Sequence, residues 1–134
     1  MNFIKTIIVA ALISGLTVTA NAESLYEKLG ENRTIHKVMV RTLELSMQDK
    51  RVASTLERSD LDRLAQLLTE QTCELTGGPC KYDGLNMKKA HVGLGLTTSH
   101  FNALVEHLQQ AMSEENISNQ TQKLSLVRLL QILR

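Results

Sequence analysis

Apolar residues recur three and four positions apart along most of the chain, the spacing that gathers them on one face of an α-helix. Ile35, Val38, Met39, Thr42, Leu43 and then Leu45 or Ser46 form one such stripe, which predicts a core helix over residues 33–48. Leu61, Leu64, Leu67, Leu68, Thr72 and Leu75 form a second, and Phe101, Leu104, Val105, Leu108 and Met112 a third. From Ser118 a last segment carries Leu124, Leu126, Val127, Leu129, Leu130, Ile132 and Leu133, apolar on more than one side. That distribution predicts burial between other helices or against a partner. No period-two alternation and no internal repeat competes, so the expected class is all-α.

Local punctuation divides the stripes. Ser24 and Glu27 have the spacing of a capping box and Gly30 a stop, which predicts a short helix over residues 24–29. An irregular piece passes Val52 and Leu56, after which Ser59 is the expected cap of the next helix and Gly77-Gly78-Pro79 its end. Asn86 caps a brief helix with Met87, Ala90 and His91, limited by Gly93 and Gly95. Thr97, Thr98 and Ser99 are three candidate caps for the long helix that follows.

The start of the chain has another pattern. Lys5, an apolar run over residues 7–16 and the small-x-small triplet Ala20-Asn21-Ala22 predict a secretory signal at residues 1–22, cleaved before a single domain over 23–134. The run is broken by Ser14, Gly15, Thr17 and Thr19 and is short for a span, so membrane contact is expected only through the uncleaved signal. Export, most simply to a bacterial periplasm, is the expected address. Without Lys5 the domain has fourteen basic and fourteen acidic residues, and it shows no polybasic face for nucleic acid. Cys73 and Cys80 flank the Gly-Gly-Pro turn, and in an oxidising compartment a local disulfide is expected, with two free thiols as the alternative. A structural zinc site would need four ligands.

His91 is the candidate for chemistry. It ends a helical turn and is followed by Gly93 and Gly95 interleaved with Leu94 and Leu96. A histidine there either packs on the core or offers a neutral ring nitrogen to a metal, and haem iron is often held by one such ligand. Spacing alone does not separate the two.

The assembled pieces resemble a known family. Ser24-Leu25-Tyr26-Glu27-Lys28-Leu29-Gly30, then Gly77-Gly78-Pro79 with Tyr82 and Gly84, then residues 87–96, and Thr98 with His100-Phe101 leading to Val105-Glu106-His107-Leu108 are similar in order and spacing to group I truncated haemoglobins. The resemblance implies a truncated globin, a two-over-two helical sandwich around haem b, with His91 as the ligand of its iron. It implies that Met87, Leu94, Leu96, Phe101 and Val105 line the proximal face and rim, and that Tyr82 lies in the loop before the proximal helix. It also exposes a departure. Leu43 stands where the family usually has a ligand-binding tyrosine, Leu68 where a glutamine is common with Leu64 one turn earlier, and Leu56 where nearly all globins have phenylalanine. The implied distal pocket is apolar, and only Thr42, Gln71 and Thr72 are near enough in sequence to supply a donor.

The implied function is reversible binding of a diatomic gas: oxygen, with nitric oxide or carbon monoxide as other ligands. Oxygen transport is the family-level description. Nitric oxide dioxygenase activity would make the chain an enzyme with a reductase as partner. Haem trafficking, electron transfer, or a globin that has lost haem are the competing classes. A monomer and a homodimer are both compatible with the apolar last helix. Lys88 and Lys89, with Arg63 and Lys81, are candidate partners of the haem propionates. His36 is expected to be solvated, and His100 and His107 to lie at the surface or half-buried.

Overall fold

The Ser24 hydroxyl accepts from the Glu27 backbone N–H while the Glu27 carboxylate accepts from the Ser24 N–H at 2.6 Å, the reciprocal bonds of a capping box. This starts α1 (Leu25–Lys28), the first of seven helices in the computed structural model, which describes residues 22–132. The others are α2 (Glu31–Gln48), α3 (Ala53–Leu56), α4 (Leu61–Leu75), α5 (Met87–His91), α6 (Thr98–Glu114) and α7 (Asn119–Gln131). No strand occurs among the described residues. Most of the expected signal segment, residues 1–21, and Leu133 lie outside the described residues.

The caps follow the local chemistry closely. Asn86 accepts from the Lys89 N–H, Thr97 from the His100 N–H and Ser118 from the Thr121 N–H. At α4 the cap is Asp60 rather than the expected Ser59, its carboxylate accepting from the Arg63 N–H at 3.0 Å. A carboxylate there also meets the positive end of the helix dipole. The irregular piece contains the one-turn helix α3, and α2 begins two residues earlier than its apolar stripe indicates.

The α2 stripe is buried as the spacing predicts: Ile35, Val38, Met39, Thr42, Leu43 and, at its end, Ser46. These residues face α4 on one side and α6 on the other. With α7 beside α6, the four long helices make the two-over-two arrangement. One hydrophobic cluster joins Leu29, Ile35, Val38, Met39, Leu108, Ala111, Met112 and Ile117, with Leu25, Tyr26, Leu68, Leu126 and Leu129 packed on its edge. Buried hydroxyls fill the rest of the interior and are satisfied within their own helices. Thr42, Ser46, Thr69, Thr76 and Ser125 each donate to the carbonyl four residues earlier, at 2.7–2.8 Å. Thr72 is the exception: its hydroxyl is buried with no partner among the described residues.

Two apolar stripes are covered differently from expectation. On α4 the leucines are half-buried, whereas Ala65, Thr69, Gln71, Thr72 and Cys73 are buried. On α7 the buried residues are Thr121, Gln122 and Ser125, and Leu124, Val127 and Leu130 are exposed. The last helix is therefore not enclosed on all sides by the described residues.

The end of α4 is fastened covalently. Cys73 and Cys80 form a disulfide, with Cα atoms 5.7 Å apart, as their spacing and expected compartment suggest. Gly78, inside this loop, is pressed against its neighbours: a Cβ there would lie 2.5 Å from the Tyr26 ring and 2.6 Å from the Cys73 sulfur. Exposed ion pairs from Arg41 to Glu114 (2.7 Å) and from Lys37 to Glu115 (3.6 Å) join α2 to the end of α6. Such pairs contribute little individually.

Candidate functional site

The Met87 carbonyl lies 2.8 Å from Nδ1 of His91, one helical turn along α5. A carbonyl can only accept, so Nδ1 carries the proton and Nε2 is left with its lone pair. His91 is exposed, so that lone pair faces out of the protein's own packing. This is the arrangement in which a histidine serves as a metal ligand, its second nitrogen fixed by a backbone acceptor. Among the described residues no group of three or more His, Cys, Asp or Glu side chains is placed to hold a metal.

Around His91 the chain presents apolar surface that no helix among the described residues covers. Val92, Leu94, Leu96, Phe101 and Leu104 are all exposed, as is Leu85 before α5. Gly93 and Gly95 have φ of +78° and +60°, which turns the backbone sharply enough to carry Leu94 and Leu96 away from α5. Met87, Val105 and, across on α4, Leu64 and Leu68 are half-buried, as are Leu56 on α3 and Tyr82 in the loop. Leu64 with Leu68, and Phe101 with Val105, are i,i+4 pairs and so share a face of their helices. Leu43 alone of the expected site residues is fully covered, at 3% exposure within α2.

One contact bridges the two sides of this region. The Gln71 side-chain amide on α4 approaches the Met87 sulfur on α5 at 3.7 Å, and Gln71 is buried. Of the three possible donors named from sequence, Gln71 is thus turned to Met87, Thr42 is committed to the Val38 carbonyl, and Thr72 is unpaired in the core. Tyr82 folds over Gly84 and donates to the Leu85 carbonyl at 2.7 Å, and its own backbone N–H is held by Glu74. Desolvation, then the nearby Asp83 and Glu70 charges, raise the Tyr82 hydroxyl above its ordinary value, keeping it a neutral donor. Arg63 reaches Asp83 at 3.8 Å across the edge of the region, while Lys81, Lys88 and Lys89 are exposed and form no ion pair among the described residues.

The remaining histidines divide. His36 is exposed on α2 with Nδ1 3.2 Å from the Thr69 hydroxyl, and His100 serves as the N3 partner in the α6 capping box. His107 differs from expectation. It is 8% exposed and lies between Ser46 and Asp49, because its neighbours on α2 are polar at the level where α6 crosses. Sequence periodicity placed it one residue off the apolar stripe and carried no signal for partners so distant in the chain.

The residues fit a flat apolar group carrying its own iron. His91 offers one neutral nitrogen, the surrounding uncovered side chains are leucine, valine, methionine and phenylalanine, and cations stand at the rim. Comparison with known proteins agrees. Residues 24–133 match the bacterial-like globin family. A group 1 truncated haemoglobin from Tetrahymena thermophila is 31% identical over 97 residues, 72% of this chain and 80% of the relative. One from Synechocystis sp. is 34% identical over 101 residues, covering 70% and 79%. The crystal structure of the truncated haemoglobin from Tetrahymena pyriformis in its Fe(III) form superposes with a TM-score of 0.77 at 27% identity, covering 81% of this chain and 93% of that one.

Proposed function

The chain belongs to the bacterial-like globin family, among the group 1 truncated haemoglobins, and from that premise we propose that it binds haem b through Nε2 of His91 and holds a diatomic gas reversibly. The observation that carries this reading is the Met87 carbonyl on Nδ1, which leaves Nε2 as a neutral acceptor in an apolar setting. Both cysteines are joined to each other, so no thiol remains for covalent attachment, which favours haem b. When bound, haem supplies the iron at which the gas is held.

The chain's own residues supply the rest. Leu94, Leu96, Phe101 and Val105 cover one face and rim, and Met87 packs beneath. Leu43, Leu56, Leu64 and Leu68 exclude water on the other side and offer no hydrogen bond to a ligand. Oxygen gains more from such a donor than carbon monoxide or nitric oxide does, by about 1.5–3 kcal/mol if the bond resembles others to charged groups. Oxygen release faster than in tyrosine-bearing relatives is the expected consequence. Lys81, Lys88, Lys89 and Arg63 are the candidate propionate partners. Removal of residues 1–22 and delivery to a periplasm complete the proposal, supported by a disulfide suited to an oxidising compartment.

The test is the absorption spectrum of the mature chain supplied with haem, with His91→Ala beside it. A Soret band in the wild type, weakened on the order of a hundredfold in haem affinity by the substitution, is expected. A band indifferent to His91→Ala would remove the ligand assignment, and stopped-flow oxygen release as slow as in tyrosine-bearing relatives would remove the apolar-pocket argument.

A further inference from the structure

Ser46 has one hydroxyl proton, and the Thr42 carbonyl takes it at 2.8 Å. His107 Nδ1 lies 3.0 Å from the same oxygen and must therefore be the donor of that contact. Its Nε2 lies 3.1 Å from Asp49 Oδ2. The Asp49 carboxylate is held near 2 by the Arg51 side chain and backbone, so it is ionised and can only accept. Each ring nitrogen therefore lies within hydrogen-bond distance of an oxygen that can accept from it.

The location suits an N–H donor. Ser46 is in the last turn of α2 and Asp49 is its C-cap, so His107 sits at the negative end of the helix dipole. The charged groups around it are Asp49 from the end of α2, Arg51 from the following turn, and Glu106 beside it on α6. Arg51 bridges Asp49 at 2.7 Å and Glu106 at 2.6 Å. Ser46 is three residues beyond Leu43 and His107 two residues beyond Val105, so this clasp fixes α2 against α6 where both carry walls of the site.

We propose that His107 is a positioning residue: held between Ser46 on α2 and Asp49 at the end of α2, it sets the spacing of Leu43 and Val105. Its effect on gas binding rests on the haem reading above, but the clasp itself does not.

Nitrogen-15 NMR of the full mature chain, haem-free and haem-loaded, tests it. In His107→Leu the Leu43 and Val105 amide shifts should both move from their wild-type values, and in His107→Gln, whose side-chain amide can still donate to Asp49, they should move less. Carbon monoxide recombination in the haem-loaded chain should change on the order of fivefold in His107→Leu and be largely restored in His107→Gln. Folded variants with wild-type Leu43 and Val105 shifts, or equal effects from the two substitutions, would overturn the proposal. A missing Soret band would overturn the haem reading alone, because the haem-free spectra decide the clasp.

Discussion

The α2–α6 core and the α5 region contain similar side chains and treat them in opposite ways. Ile35, Val38, Met39, Ala111 and Met112 are covered by protein on every side. α5 buries none of its residues, and Val92, Leu94, Leu96 and Phe101 are exposed beside it. Apolar surface left open costs solubility and gains nothing for folding, so its concentration around one outward-facing imidazole marks work assigned to something other than the chain. One half of the molecule is finished by its own sequence; the other is finished by what it binds.

Paired substitutions separate the halves most sharply. Met112→Ala should cost about 2–5 kcal/mol in denaturant unfolding with or without haem, because it leaves a cavity in a closed core. Leu94→Ala should change the stability of the haem-free chain by no more than about 0.5 kcal/mol yet increase haem loss. Equal effects from the two would erase the distinction. Reduction of Cys73–Cys80 should cost about 2–3 kcal/mol by thermal unfolding, since the loop it closes is short. Gly93→Ala should cost about 1 kcal/mol, through its positive φ alone, because a Cβ there meets nothing within 4 Å. Thr72→Val should instead stabilise by about 1 kcal/mol by removing an unpaired buried hydroxyl.

The smallest expected effect is on the acid side. Asp49 is depressed to about 2, so its contribution is fully present above the ordinary aspartate value of 3.8 and is lost as pH falls through about 2. Acid titration of Asp49→Asn should show a shallower loss of stability between about pH 4 and pH 2 than the wild type.

The sequence was most legible where one short segment contains all the chemistry. The Ser24–Glu27 box, the Asn86 and Ser118 caps and the disulfide each depend on residues at most seven apart, and all are present. The setting of His91 is local in the same way, since its Met87 acceptor lies within one helical turn, whereas the other candidate site residues rested on the family resemblance rather than on any local pattern. Periodicity located helical faces but not what covers them. It could not distinguish the half-open leucines of α4 from the closed face of α2, nor foresee that Thr121, Gln122 and Ser125 would be buried while Leu124 and Val127 were not. The His107 clasp was illegible because Ser46 is 61 positions away and becomes its neighbour only when α2 crosses α6.

The hydroxyls of Thr42, Ser46, Thr69 and Ser125 hold their own helix's carbonyls and so ask nothing of the helix opposite. Facing surfaces built this way can slip past one another, as oiled plates do, against few side-chain bonds: His36 on Thr69 between α2 and α4, and, between α2 or its end and α6, His107 on Ser46 and Asp49 and the exposed ion pairs of Lys37, Arg41 and Arg51. Small sliding of packed helices is a recognised mode of protein motion. Here it would let the long helices shift while the hydroxyls of Thr42, Ser46, Thr69 and Ser125 keep their carbonyl partners.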